Sequence, residues 1–121
     1  MTSGKFDEEL ARMSQIVRAI DRNCLLICNE SFSATNEREG SQIADEFLRA
    51  MADICVRVVF VTHLYELSHH YDLHHANTTL FLRAERDGNG QRPFHLIEAE
   101  PLPTSYGEDL YWRTFSGSPA V

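Results

Sequence analysis

The chain has no excess of positive charge. Its 11 lysines and arginines stand against 18 acidic residues over 121 positions, a formal net charge of −7, so it lacks the electrostatic footprint of an autonomous nucleic-acid binder. Any DNA contact is expected to come from other domains. No apolar stretch approaches the roughly 20 residues needed to span a bilayer, and the charged start Lys5 to Glu9 is unlike a secretion signal. These two absences argue against a membrane partner and for a cytoplasmic location. Cysteine is scarce and odd in number: Cys24, Cys28 and Cys55 lie in or beside apolar runs, which favours buried reduced thiols over a disulfide framework. Cys24 and Cys28 would share one strand face, without partners at zinc-like spacing. Internal repeats and low-complexity tracts are also missing.

What is present is an ordinary globular composition, 43% hydrophobic and 24% charged, enough for one modest core and thus one domain or a piece of one. Phe6, Leu10, Met13, Val17 and Ile20 recur at helical spacing and predict an amphipathic helix ending near Asp21 to Asn23. Leu25 to Cys28 is too short and too uniformly apolar for a surface helix and reads as a buried strand running into Asn29-Glu30. Asn36 can cap the next helix, with Glu39 in capping-box register and Ile43, Phe47, Leu48 and Met51 as its apolar stripe. Gly40 weakens only the first turn of that helix. Val56 to Val61 is a second strand, so strand, helix and strand predict a right-handed parallel crossover with the two strands directly paired. A short helix is expected over Leu64 to His70 and a loop over His69 to Asn77. Leu80 to Arg83 and Phe94 to Glu98, around Asp87-Gly88-Asn89-Gly90, predict a β-hairpin. Pro101 and Pro103 stop its second strand, and Ser105 with Glu108 predicts a short terminal helix packing Tyr111, Trp112 and Phe115.

The chemistry concentrates where the first strand ends. A parallel strand delivers polar side chains to the carboxyl edge of its sheet, the edge where nucleotide sites usually lie. Glu30 occupies the position that a nucleotide triphosphatase gives to the residue orienting its attacking water, and Asn29 the position that normally helps to hold magnesium. His63, at the end of the next strand, offers an imidazole able to donate to phosphate and to change charge near neutral pH.

In order and spacing, Leu25 to Glu30, Ser33 to Gly40, Val59 to His63 and the Ser105-Tyr106-Gly107 turn resemble the second half of the ATPase core of the MutS-type DNA mismatch repair proteins, itself built like the ATPase of ABC transporters. The resemblance covers most of residues 1–121 and implies an α/β P-loop NTPase-type fragment, a mainly parallel sheet with flanking helices and a C-terminal hairpin. It makes Leu25 to Glu30 the Walker B segment, with Glu30 positioning water and Asn29 contacting magnesium without the charge of the usual Asp. Several MutS-related proteins outside the principal repair clade resemble this chain in having Asn there. Ser33, Ala34, Thr35 and Asn36 correspond to the D-loop that packs across a nucleotide-sandwich dimer, and His63 to the switch histidine that approaches the γ-phosphate. Ser3 and Gly4, before the first helix, correspond to the signature loop that reaches the opposite subunit's nucleotide, with anion binding at a helix N-terminus as the physical logic.

The function implied is ATP binding and hydrolysis at a dimer interface, with ATP and Mg2+ as cofactors, coupled to DNA in mismatch repair or a related transaction. The sequence has no G-x-x-x-x-G-K-[S/T] pattern, so the phosphate cradle must come from another ATPase segment; the partner implied is a second copy in a homodimer or that complementary ATPase segment. Its strand would leave a slot in the sheet, and marginal stability of the fragment is expected. The alternative is a noncatalytic dimerisation or regulatory module that keeps the architecture without the chemistry. A metal-responsive role for His69, His70, His74 and His75 is the third reading. With only Asp72 nearby to complete a set, these residues are most simply surface histidines of a loop. Arg83, Arg86 and Arg92 read as a solvated face.

Overall fold

The helical spacing of the first segment becomes α1, Lys5–Ala19, in a computed structural model that describes residues 4–85, 95–103 and 114–115. The chain divides into two compact units, 1–67 and 68–121. In the first, α1 is followed by a turn in which the Asp21 carboxylate accepts from the Asn23 N–H at 2.8 Å. Strand β1, Leu25–Asn29, then leads to α2, Glu37–Asp53, and β2, Arg57–Val61. The strands pair directly and in parallel, Leu25 opposite Arg57 through Asn29 opposite Val61. This is the expected strand, helix and strand crossover of an α/β fold.

Alternation along both strands separates two faces. Leu26 and Cys28 turn inward with Val58 and Phe60, against Phe47 and Met51 of α2 and against Met13, Ile16 and Val17 of α1. Leu25, Ile27, Val59 and Val61 turn outward and remain exposed. The continuous apolar run at residues 25–28 is therefore buried on one face only, a correction to the fully buried strand expected from the run. Its cause is the single helical layer: nothing among the described residues of this unit covers the second face.

The C-terminus of α2 shows how backbone chemistry aims β2. Cys55 adopts a positive φ of 60°, its N–H donates to Ala52 O at 3.0 Å, and the Val56 N–H donates to Met51 O at 2.9 Å. This pair of bonds is a Schellman ending with cysteine where glycine is usual. Its accompanying apolar contact is Val56 with Met51, both in the core.

The helix α3, Tyr65–His74, crosses the boundary between the units. It runs four residues beyond His70, through part of the segment expected to be a loop. A short 3-10 turn, Ala76–Thr78, follows. In the second unit β3, Leu82–Ala84, pairs antiparallel with β4, Leu96–Glu98. The strand pair of the expected hairpin is thus present, as a sheet separate from β1 and β2, while its turn at 87–90 lies outside the described residues. Arg83 faces the half-buried side, with its Nε enclosed and without an acceptor among the described residues. That corrects its assignment to a solvated face; Arg86 and Arg92 lie outside the described residues. Phe115, expected to pack, is exposed; Ser105 to Trp112 lie outside the described residues. No described helix is long and apolar enough to cross a membrane.

Candidate functional site

Glu30 is the first residue past β1, and its N–H donates to Val61 O at 2.7 Å, extending the parallel ladder by one bond. The chain then turns through Glu30, Ser31 and Phe32 with φ of 58° at Glu30 and 64° at Phe32. Left-handed backbone is costly for residues with a Cβ, of order 1–3 kcal/mol each, and two such residues in three mark a turn held by its surroundings. Three contacts at Phe32 help to hold it. The Phe32 ring, 1% exposed, lies 5.5 Å from that of Phe47 and 6.4 Å from that of Phe60. The Phe32 N–H donates to Glu9 Oε2 at 2.9 Å. The Phe32 carbonyl presses on the first turn of α2, where a Cβ at Gly40 would collide with it. Gly40 is therefore a close-approach glycine, and its cost in helix propensity is secondary to that fit.

The product of the turn is an accessible carboxylate at the carboxyl edge of the parallel pair. His63, just beyond β2, places Nε2 3.4 Å from Glu30 Oε1, with the two side chains 82% and 37% exposed. A pair this open contributes little to stability, so packing does not account for it. The main chain of the two strands brings Glu30 and His63 together, as their order in the sequence suggested. Asn29 ends β1 on the outward, exposed face beside them.

The other candidates have local work. The Ser33 hydroxyl donates to the Glu30 carbonyl at 2.5 Å, locking the turn. Asn36 Oδ1 accepts from the Glu39 N–H at 2.8 Å, capping α2 as expected. The reciprocal half of the capping box is redirected: Glu39 Oε1 accepts from the Thr35 hydroxyl at 2.7 Å. Ala34 is exposed. Gly4 is the N-cap of α1 in extended conformation, with its carbonyl accepting from the Glu8 N–H at 3.2 Å. Ser3 lies outside the described residues. Two further contacts shape the edge: Thr62 Oγ1 accepts from the Leu64 N–H at 2.9 Å, and Glu37 Oε1 accepts from the Tyr65 N–H at 3.2 Å. Together they fix the chain on either side of His63 and tie the start of α3 to that of α2.

Glu9 is the residue that sequence reasoning missed. Its bond to the Phe32 N–H spans 23 positions, and in the sequence it is one more acid on the polar side of an amphipathic helix. Beneath the turn, burial raises the Cys28 thiol above its ordinary range; a hydrogen bond with Ser31 opposes the shift and the nearby Glu9 charge adds to it. Cys28 is thus kept as a neutral packing group.

The site is an edge rather than a pocket. An open groove of 460 Å3 lies between α1 and α2, lined by residues such as Met13, Val17, Ile43 and Phe47, and it includes neither Glu30 nor His63. Comparison with family models, curated proteins and solved structures finds no match.

Proposed function

We propose that the chain is the hydrolytic half of a P-loop NTPase-type ATPase core of the MutS kind, completed by a complementary segment that supplies the phosphate loop. The observation that carries this reading is the strained, glycine-free turn that holds Glu30 at a parallel sheet edge 3.4 Å from His63. Strain concentrated at an exposed acid is characteristic of a functional position. The outward apolar face of β1 and β2 adds support, because a core of this kind carries further strands and a second helical layer.

In this reading Glu30 orients a water for attack on a terminal phosphate and accepts its hydrogen bond, while His63 donates to the same phosphate from the neighbouring strand end. Ser33 and Glu9 act through the turn: one ties the Glu30 carbonyl, the other the Phe32 N–H. The exposed oxygens of Asn29 and Glu30 suit a hard cation such as Mg2+, which would neutralise phosphate charge when bound. Asn29 supplies no charge of its own, and with no phosphate-cradling loop in the chain the donor set fits the water side of the site only. Ser33 to Asn36, on the exposed turn before α2, are available to a second ATPase copy. DNA engagement, in mismatch repair or a related transaction, belongs to other domains.

The test is Glu30→Gln in the assembly that includes the phosphate-loop segment. Turnover is expected to fall by about 100-fold or more, the scale of a lost acid-base or water-orienting group, with nucleotide binding retained. Hydrolysis at the unsubstituted rate would remove Glu30 from the mechanism. Tight nucleotide binding without hydrolysis by the unsubstituted assembly would favour the noncatalytic module, the reading to which the neutral Asn29 lends weight.

A further inference from the structure

A strand with one parallel neighbour uses the main-chain groups of alternate residues and leaves the others over. In the β1 and β2 register Asn29 stands opposite Val61, and the Glu30 N–H donates to Val61 O. The ladder therefore runs through the main chains of Leu26, Cys28 and Glu30 on one side and of Arg57, Val59 and Val61 on the other. The N–H and C=O groups of Leu25, Ile27 and Asn29 point the opposite way. Among the described residues β1 has no second neighbour in its sheet, so these groups form an open edge. We propose that this edge pairs with the same edge of a second copy of the chain, antiparallel about a two-fold axis at Ile27.

Symmetry fixes the register. In a closed two-fold dimer the pairing is isologous, so that where one residue meets another the reverse contact also forms, and the edge groups of Leu25, Ile27 and Asn29 meet that condition about Ile27. Ile27 then exchanges both its bonds with Ile27 of the second copy, and Leu25 does so with Asn29 on either side. Every main-chain group of the edge gains a partner. The side chains agree with this pairing. β1 has no charged residue or proline, and its ladder is unbroken by a bulge, so it carries none of the devices that blunt an edge. None of the facing side chains is charged, and the net charge of −7 therefore sets no like-charge pair against itself at the edge. Ile27, 65% exposed, would face its own copy as a β-branched pair. β2 is the poorer edge: it leaves over only Val58 and Phe60 and carries the exposed Arg57, a charge of the kind that blocks strand addition. The proposal does not depend on the nucleotide reading.

Sedimentation of the intact chain over a range of concentrations tests it, with amide hydrogen exchange measured alongside. A pairing of five-residue strands covers less than the roughly 800 Å2 per partner of a standard interface, so the expected result is a reversible dimer with a dissociation constant of about 10–500 μM. At high concentration exchange should slow at the Leu25, Ile27 and Asn29 amides. It should stay unchanged at Leu26 and Cys28, which already donate to β2. Ile27→Lys, at an exposed position, sets like charges opposite one another and should weaken the dimer by about fivefold or more. Val59→Lys, on the same outward face but one strand further from the axis, should leave it unchanged. A chain still monomeric at about 1 mM, slowed exchange at Val58 and Phe60 instead, equal losses in the two variants, or assembly beyond the dimer would each overturn the proposal. No nucleotide enters these measurements, so their failure would leave the ATPase reading untouched.

Discussion

The two faces of the β1 and β2 pair are built from the same kinds of side chain and lie in opposite surroundings. Leu26, Cys28, Val58 and Phe60 are packed beneath α1 and α2, whereas Leu25, Ile27, Val59 and Val61 face outward. Hydrophobicity set the strands, and the helices chose the covered face. The difference separates what holds this unit together from what it has to offer: the inner face is its core, and the outer face is apolar surface available to another layer.

The largest expected effect comes from the inner side. Phe32→Ala removes the ring that joins Phe47 and Phe60 and should cost about 3–5 kcal/mol, enough to unfold a chain of modest stability; chemical denaturation gives the value, and a loss under about 1 kcal/mol would show that the inner face does not depend on this turn. Gly40→Ala comes next. Alanine is the better helix former, yet its Cβ would strike the Phe32 carbonyl, so a loss of about 1–3 kcal/mol, the usual range for overpacking, is expected. A gain in stability would mean that the contact relaxes freely. The smallest effect belongs to the outer face. Ile27→Thr combined with Val59→Thr keeps β-compatible side chains and should leave the melting transition of the chain within about 0.5 kcal/mol per substitution while impairing assembly with a complementary ATPase segment. A large loss in the isolated chain would show that the outer face is already covered.

Much of the first unit was legible in the sequence because its signals are local. The 3.6-residue spacing from Phe6 to Ile20, the Asn36 cap and the β-branched run Val56 to Val61 each specify an element within a few positions. The edge placement of Glu30 and His63 followed from strand ends alone. What could not be read were contacts between distant positions and the chain conformations they impose: Glu9 against the Phe32 N–H, the close approach of Gly40, the left-handed backbone of Glu30 and Phe32. The end of α3 was misjudged for a related reason. His69 to His75 carries no apolar periodicity, and without that signal a histidine-rich helix resembles a loop.

By itself the sequence determined the α/β alternation, the parallel pairing and the positions at which an acid and an imidazole emerge from neighbouring strands, because side-chain periodicity and capping act over one or two turns. Tertiary structure alone decided which strand face is covered, that a glutamate is presented from a strained turn, and that the His70 ring meets those of both His74 and His75. Those outcomes depend on packing between residues far apart in the chain, where burial of Phe32 outweighs the backbone preference of the turn it anchors.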